Sequence, residues 1–211
     1  TQAAPPPIQP PLNLLWERDA VLAEGRFVAV EGDQRLRFDE VTVTHGGEAR
    51  TEVSVQADPT AARSLTPGKR YILAWVEWMR SPADKRVRVR RPEGAHLLSA
   101  PGLEPALFEA TPATRSLLLT APTAESLNGE SHLRRMLALL DGDDPSLQVL
   151  AAAELASRST LRSQLTRRER RHLQATVRDA RRSPVARAQL LDAAQFHAAE
   201  FGSGWAPVAQ A

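Results

Sequence analysis

The side chains best able to hold a metal or transfer a proton are thinly spread along this sequence. None of the five histidines stands in the HxH or HExxH spacing that brings two imidazoles to one metal ion. Residues 141–145 begin like a calcium loop, but Ser146 replaces the required glycine and Ala152 the required glutamate. Asp39 and Glu40 are adjacent in a predicted strand, so they should point to opposite faces and cannot work together as acid and base.

Nucleophilic chemistry is equally hard to assemble from these residues. The chain has no cysteine, which excludes disulfides, thiolate catalysis and cysteine-based zinc or iron–sulfur sites. Ser203 lacks the outer glycines of the G-x-S-x-G nucleophile elbow. We therefore expect no metal, no cofactor and no enzymatic activity, and we keep an enzyme with an unrecognised site as the last alternative.

The most conspicuous stretch is TRRERRHLQATVRDARR, residues 166–182, which holds seven arginines. Its period is helical, and an apolar stripe faces inward, formed by Leu173, Thr176, Val177 and Ala180. We expect four arginines to face outward as a contact surface for a partner: Arg167, Arg171, Arg178 and Arg182.

The charge distribution assigns this basic surface to the second part of the chain. The whole sequence of 211 residues carries a net charge of +2. Residues 1–130 hold 15 basic and 17 acidic side chains, net −2, whereas residues 131–211 hold 12 and 8, net +4. An acidic protein or envelope surface is thus favoured as partner over a nucleic acid, although a nucleic acid stays an alternative.

Residues 1–18 begin as a proline-rich leader. TQAAPPPIQPP contains five prolines and has neither a helical nor a strand period, so we expect an extended, polyproline-like segment. The chain starts at Thr1, which is consistent with removal of a signal peptide. We therefore expect a periplasmic or secreted protein without a transmembrane segment, since no apolar run reaches the roughly 20 residues required.

From residue 20 to residue 91 the pattern predicts short strands and turns. Residues 35–44 alternate in polarity around an expected bulge at Asp39–Glu40, and His45-Gly46-Gly47 supplies the positive φ angles of a hairpin. Residues 58–65 predict a short helical turn, 66–69 a tight turn, and 70–80 the most apolar strand. A last strand, Lys85 to Arg91, carries three outward arginines as further partner-binding candidates: Arg86, Arg88 and Arg90.

Three strands, a short helix and further strands is the order of an antiparallel barrel of the OB type, with a β-sandwich as the alternative. The stretches DAVLAEGRFVAV, LRFDEVTVTHGG, VSV and LTPGKRYILAW resemble the secreted bacterial domains of netrin-like or TIMP-like OB fold, over residues 19–80. The cysteines common in those domains are missing here, and protease inhibition through a cysteine-tethered N-terminus is not implied. Such barrels can bind nucleic acids on exposed aromatics, but we expect Tyr71 and Trp75 to be core residues.

After a connecting segment at 101–126, with a short helix expected at 101–110 and a last strand at 116–120, the period becomes helical. Apolar stripes predict four helices between residues 127 and 201. Asp144-Pro145 and Ser183-Pro184 are start signals, and Thr166 with Glu169 forms a capping box.

DPSLQVLAAAELA and SPVARAQLLDAAQ begin 39 residues apart and share a cap, a proline and an Ala/Leu-rich helix. Residues 131–201 therefore resemble HEAT-like repeats, which present a face to a protein partner. A compact helical bundle is the alternative.

Together these patterns predict an α+β protein. An OB-like domain at 19–100, a connecting segment at 101–126, a bundle of about four HEAT-like helices at 127–201 and a tail at 202–211 follow the leader. The predicted function is that of a non-enzymatic, exported, protein-binding or scaffold module.

Overall fold

The computed structural model describes residues 9–79, 93–203 and 205. Within them the chain divides into two compact units. The sheet unit comprises residues 14–79, 93–100 and 104–121, and the helical unit comprises residues 9–13, 101–103, 122–203 and 205. The protein is therefore of the α+β class, as predicted, and the chain leaves the helical unit for the sheet unit and then returns.

One mixed sheet organises the sheet unit. Its strands among the described residues are β1 (Ala20–Glu31), β2 (Arg35–His45), β3 (Val53–Gln56), β4 (Arg70–Trp78), β5 (Gly94–Leu97) and β6 (Leu107–Glu109). Five of them pair in a closed ring, β1-β2-β3-β5-β4, with β4 returning to β1, and β6 adds to β4. The expectation of a purely antiparallel sheet was wrong, because β5 runs parallel to β3 where His96 pairs with Gln56.

Turn chemistry sets the shape of β1, β2 and β4. The pairing of β1 with β2 shifts between Glu24 and Arg26, and Glu40 adopts φ +47°, which confirms the predicted bulge. Gly46 has φ +66°, as the hairpin prediction required. Gly68, at φ +84°, completes the predicted tight turn, in which the Lys69 N–H donates to the Thr66 carbonyl.

The core of the sheet unit is built from the inward residues of these strands. Trp75 is completely buried and Tyr71 nearly so, as predicted. Phe27 packs on both Phe38 and Tyr71, with ring centroids 5.5 and 6.5 Å apart. The pleat therefore points the large aromatic side chains inward.

In residues 101–120 a strand forms where a helix was predicted, and a helix forms where a strand was predicted. The expected helix at 101–110 is instead the site of β6, and the expected strand at 116–120 falls largely on α2 (Pro112–Leu118). The reason is a start signal that sequence reasoning missed. Thr111 accepts a hydrogen bond from the Thr114 N–H, Thr114 caps in return, and Pro112 occupies the first helical turn.

The remaining helices lie in the helical unit, apart from the short α1 (Pro11–Leu14), which spans the boundary between units. They are α3 (Ala124–Asn128), α4 (Glu130–Asp141), α5 (Pro145–Ser157), α6 (Ser159–Arg162), α7 (Arg167–Arg178), α8 (Pro184–Phe196) and α9 (Ala198–Phe201). The four longest carry the predicted apolar stripes, and all three predicted caps form. Of the four apolar-face positions predicted on α7, only Ala180 is exposed, because the helix ends two residues earlier. Among the described helices, none has the length and apolarity needed to cross a membrane.

Helix α5 is the central element of the helical unit. It packs against both α4 and α8. All ten residues from Leu147 to Ala156 are buried, two of them polar. A helix covered on every side needs an apolar surface all round, and the run VLAAA supplies it.

The predicted extended, proline-rich segment does not continue through Pro11. That residue begins α1, and both Pro11 and Leu12 are buried. The Asn13 N–H donates to the Pro10 carbonyl and closes the turn. Residues 9–13 are thus an integral part of the helical unit.

Gly46 and Gly68 allow the cost of a close backbone approach to be measured. A Cβ at Gly46 would lie 2.1 Å from the Ala20 carbonyl oxygen, whereas at Gly68 it would meet nothing within 4 Å. We expect Gly68→Ala to cost about 1–2 kcal/mol for the left-handed φ alone. Gly46→Ala should cost a further 1–3 kcal/mol, roughly, because the hairpin must move. Urea unfolding followed by tryptophan fluorescence gives both values, and equal costs would contradict the close approach.

Candidate functional site

A stripe of three arginines runs along the outer face of α7. Arg167, Arg171 and Arg178 are all exposed, at spacings of four and seven residues that fall on one side of a helix. The opposite side is buried through Leu173, Thr176 and Val177. These three arginines form the α7 stripe.

No member of the α7 stripe forms an ion pair with another residue in the described ranges. Two like charges at i and i+4, as in Arg167 and Arg171, destabilise a helix by about 0.2–0.5 kcal/mol. Glu169 forms no ion pair with them, and its carboxylate accepts the Thr166 N–H in the capping box, at 2.7 Å. The stripe is therefore positive charge without an ion-pair partner among the described residues.

Arg182, the fourth predicted member, has a different role. Its Nη1 donates to the carbonyl oxygens of Asp141 and Gly142, at 2.7 and 2.8 Å, and its side chain is only 19% exposed. Those carbonyls end α4, where the helix itself offers them no donor. Arg182 thus fastens the end of α4. The prediction that it faces outward in an open contact surface was wrong.

The other predicted partner-binding arginines, Arg86, Arg88 and Arg90, lie outside the described residues. Tyr71 and Trp75, on β4, are buried and cannot stack on an external base.

An open groove of about 550 Å³ lies between α4 and α7. Arg134, Asp141, Arg168 and His172 contribute polar side chains to its lining. His172 Nε2 lies 2.9 Å from Asp141 Oδ1, and both side chains are nearly half exposed. Water screens such a pair, so the groove offers a mixed-charge surface rather than a secluded reaction site.

A buried polar cluster, which sequence reasoning missed, lies on α5. Glu154 is completely buried, and its carboxylate accepts hydrogen bonds from Arg158 at 2.5 Å and from the Leu12 N–H at 2.9 Å. His132 Nε2 lies 3.3 Å from the same carboxylate. Arg158 also donates to Asn13 Oδ1 at 2.6 Å. The cluster therefore connects α4, α5 and residues 12–13.

The protonation of Glu154 follows from these contacts. Burial alone would raise the pKa of its carboxyl, but the hydrogen bonds from His132 and Arg158 outweigh burial and lower the pKa. A buried carboxylate costs several kcal/mol in lost hydration and is kept only when its lone pairs are satisfied. The sole sequence signal was the i, i+4 spacing of Glu154 and Arg158 at the end of a largely apolar helix. The same spacing is also typical of exposed ion pairs, so it did not indicate burial.

Among the described residues, no group of three or more histidine, aspartate and glutamate side chains is arranged to hold a metal ion. Comparison with protein-family models, with curated proteins and with solved structures finds no match to the chain.

Glu154→Gln should strongly destabilise the helical unit. The amide cannot neutralise Arg158, which is only 8% exposed, and an unpaired buried charge costs roughly 3–5 kcal/mol. The matched control is Glu130→Gln, because Glu130 and Arg134 form the same i, i+4 pair with side chains 70% and 72% exposed. That change should alter the free energy of unfolding by less than about 0.5 kcal/mol.

Circular dichroism during urea unfolding measures both variants, and pH provides a further check. Because the folded-state pKa of Glu154 is lowered, its stabilisation is complete above the unfolded pKa of about 4.3 and disappears as the pH falls through the folded value. The difference between wild type and Glu154→Gln should therefore shrink below about pH 4.3. A difference independent of pH would contradict a charged Glu154.

Arg182→Ala should destabilise the helical unit by about 1–2 kcal/mol, because two carbonyls at the end of α4 lose a charged donor. Arg171→Ala, which removes an exposed and unpaired arginine, should change stability by less than about 0.5 kcal/mol. Equal effects in the same unfolding assay would show that Arg182 does not fasten α4.

Proposed function

We propose that the chain is a non-enzymatic protein-binding module of the bacterial periplasm, and that the α7 stripe is its contact face for an acidic protein or envelope component. The observation that carries the proposal is that Arg167, Arg171 and Arg178 are exposed, aligned and unpaired within the described part of the chain. A partner that supplies carboxylates would remove their mutual repulsion and gain charge-assisted hydrogen bonds.

The sheet unit shows how differently other arginines of the same chain are used. Arg70 and Arg115 both bind Glu24, at 2.6 and 2.7 Å, and Arg26 binds Asp39 at 2.8 Å. The hydrogen bond from Arg115 lowers the pKa of Glu24 against the effect of partial burial, and Arg70 adds to it. These arginines are neutralised within the chain, whereas those of the α7 stripe are left for an external anion.

The geometry of the stripe limits the kind of partner. Arg167 and Arg178 are eleven positions apart, which is about 16 Å along a helix. An acidic helix laid along α7 would present carboxylates at the same spacing. Arginine forms paired hydrogen bonds with a carboxylate, which favours a defined acidic side over a diffuse negative surface.

We also propose that the sheet unit has an OB-like fold and that the helices form a HEAT-like arrangement. The closed ring of five strands supports an OB-like sheet unit, and the stacked α4, α5, α7 and α8 support HEAT-like helices. Export to the periplasm is supported by the resemblance of residues 19–80 to secreted domains of netrin-like or TIMP-like fold.

A nucleic-acid-binding protein is the second candidate, because an aligned basic stripe also suits phosphates. Against it stands the burial of Tyr71 and Trp75, which leaves neither aromatic side chain exposed to stack on a base.

The proposal predicts that two designed helical peptides will bind differently. The first carries three glutamates at positions i, i+4 and i+11 of an alanine-rich helix, and the second carries them at i, i+2 and i+9, around the helix. At low salt the first should bind the protein at least about fivefold more tightly. This is a modest difference in binding free energy, since a tenfold ratio of dissociation constants corresponds to about 1.4 kcal/mol. Fluorescence anisotropy measures both affinities.

Two triple variants separate the stripe from net charge. Arg167→Ala/Arg171→Ala/Arg178→Ala should abolish the preference between the peptides. The control triple, Arg18→Ala/Arg63→Ala/Arg135→Ala, removes three dispersed exposed arginines and should retain the preference. Equal binding of both peptides would refute the proposal, and tighter, steeply salt-dependent binding of a single-stranded oligonucleotide would favour the second candidate.

A further inference from the structure

We propose that the helical unit contains a binding site for a Pro-Leu-Asn peptide segment, and that the chain's own residues 11–13 fill it. The site lies on α5 and residue 102, away from the outward arginines of α7 in the sequence, and it does not rest on the function proposed above. Each of the three residues is recognised by a different contact.

Pro11 is recognised at Gly102, where the site has no side chain. Gly102 has φ +88°, and a Cβ there would lie 2.4 Å from Pro11 Cγ and 2.5 Å from the Ala153 Cβ. The pyrrolidine ring therefore occupies space that only glycine at 102 and a small residue at 153 leave open. Ala153 is itself completely buried, so the seat is a fixed part of α5.

The next two residues are recognised by the charged groups of the buried cluster. Glu154 accepts the backbone N–H of Leu12 at 2.9 Å, and Leu12 is only 3% exposed. Arg158 donates to the side-chain oxygen of Asn13 at 2.6 Å. A backbone donor, an apolar side chain and a side-chain carbonyl together form a recognition pattern that a short peptide can reproduce.

The separation in sequence indicates that the segment behaves as a ligand. Leu12 and Glu154 are 142 positions apart, and the sheet unit lies between them in the chain. The helical unit has kept a fully buried carboxylate, whose lost hydration is expensive, and part of its compensation comes from this remote segment. Because the segment is tethered to the unit, free peptide displaces it from the wild-type protein only in large excess.

The test uses the full chain and a fluorescent peptide with the sequence of residues 9–15, Gln-Pro-Pro-Leu-Asn-Leu-Leu. Asn13→Ala removes the hydrogen bond from Arg158 and so weakens the tethered segment, while the residues of the site itself stay unchanged. We expect this variant to bind the peptide about tenfold more tightly than the wild type does. In the wild type, excess peptide should accelerate hydrogen exchange at the Leu12 amide.

Changes in the peptide identify the contacts without risk to the fold. A peptide with N-methylated leucine at the position of Leu12 cannot donate to Glu154, and one with alanine in place of asparagine cannot accept from Arg158. Each should bind Asn13→Ala at least about tenfold more weakly than the natural sequence. The proposal is overturned if the reversed peptide, Leu-Leu-Asn-Leu-Pro-Pro-Gln, binds as well as the natural one, or if no peptide binds and Leu12 exchange stays unchanged.

Discussion

The carboxylate of Glu154 is the constraint on which the helical unit depends. It lies on the one helix that is covered on all sides, where an unpaired charge could not be maintained. Its partners come from three parts of the chain: His132 on α4, Arg158 directly after the end of α5, and the backbone of Leu12. Satisfying one buried charge therefore fixes the positions of two helices and of a segment that a purely apolar core would hold less specifically.

Two groups of described arginines in the helical unit have different surroundings. Arg158, Arg162 and Arg182 are largely covered, and each donates hydrogen bonds to other groups of the unit. Arg162, for example, donates to the carbonyls of Leu155 and Ala156 near the end of α5. The α7 stripe does nothing of this kind, because its guanidinium groups face solvent. The difference separates arginines that hold parts of the unit together from those that are exposed and unpaired among the described residues.

The sequence was informative where one local rule acted alone. Proline after a capping residue marked the starts of α5 and α8, the glycines after His45 marked a turn, and the polarity pattern of residues 35–44 marked β2 with its bulge. It misled where local and distant preferences compete. Leu107–Glu109 looks helical but becomes a strand because the neighbouring β4 offers it hydrogen-bond partners.

The candidate sites also differ in how far the sequence predicted them. Exposure of the α7 stripe followed from helical periodicity, which is a property of seventeen consecutive residues. The role of Arg182 and the buried cluster did not follow, because they depend on pairs that lie 22 to 142 positions apart. Nothing in the local surroundings of Leu12 or Glu154 indicates that one accepts a hydrogen bond from the other.

The division of the helical unit along the chain imposes an order on its folding during synthesis. Residues 9–13 are made well before Glu154, which follows Leu12 by 142 positions. At typical elongation rates of about 5–20 residues per second, the two are separated by roughly 7–30 s of translation. The sheet unit can close in that interval, because all its strands precede residue 110. The earliest described segment of the polypeptide is thus among the last to reach its final environment.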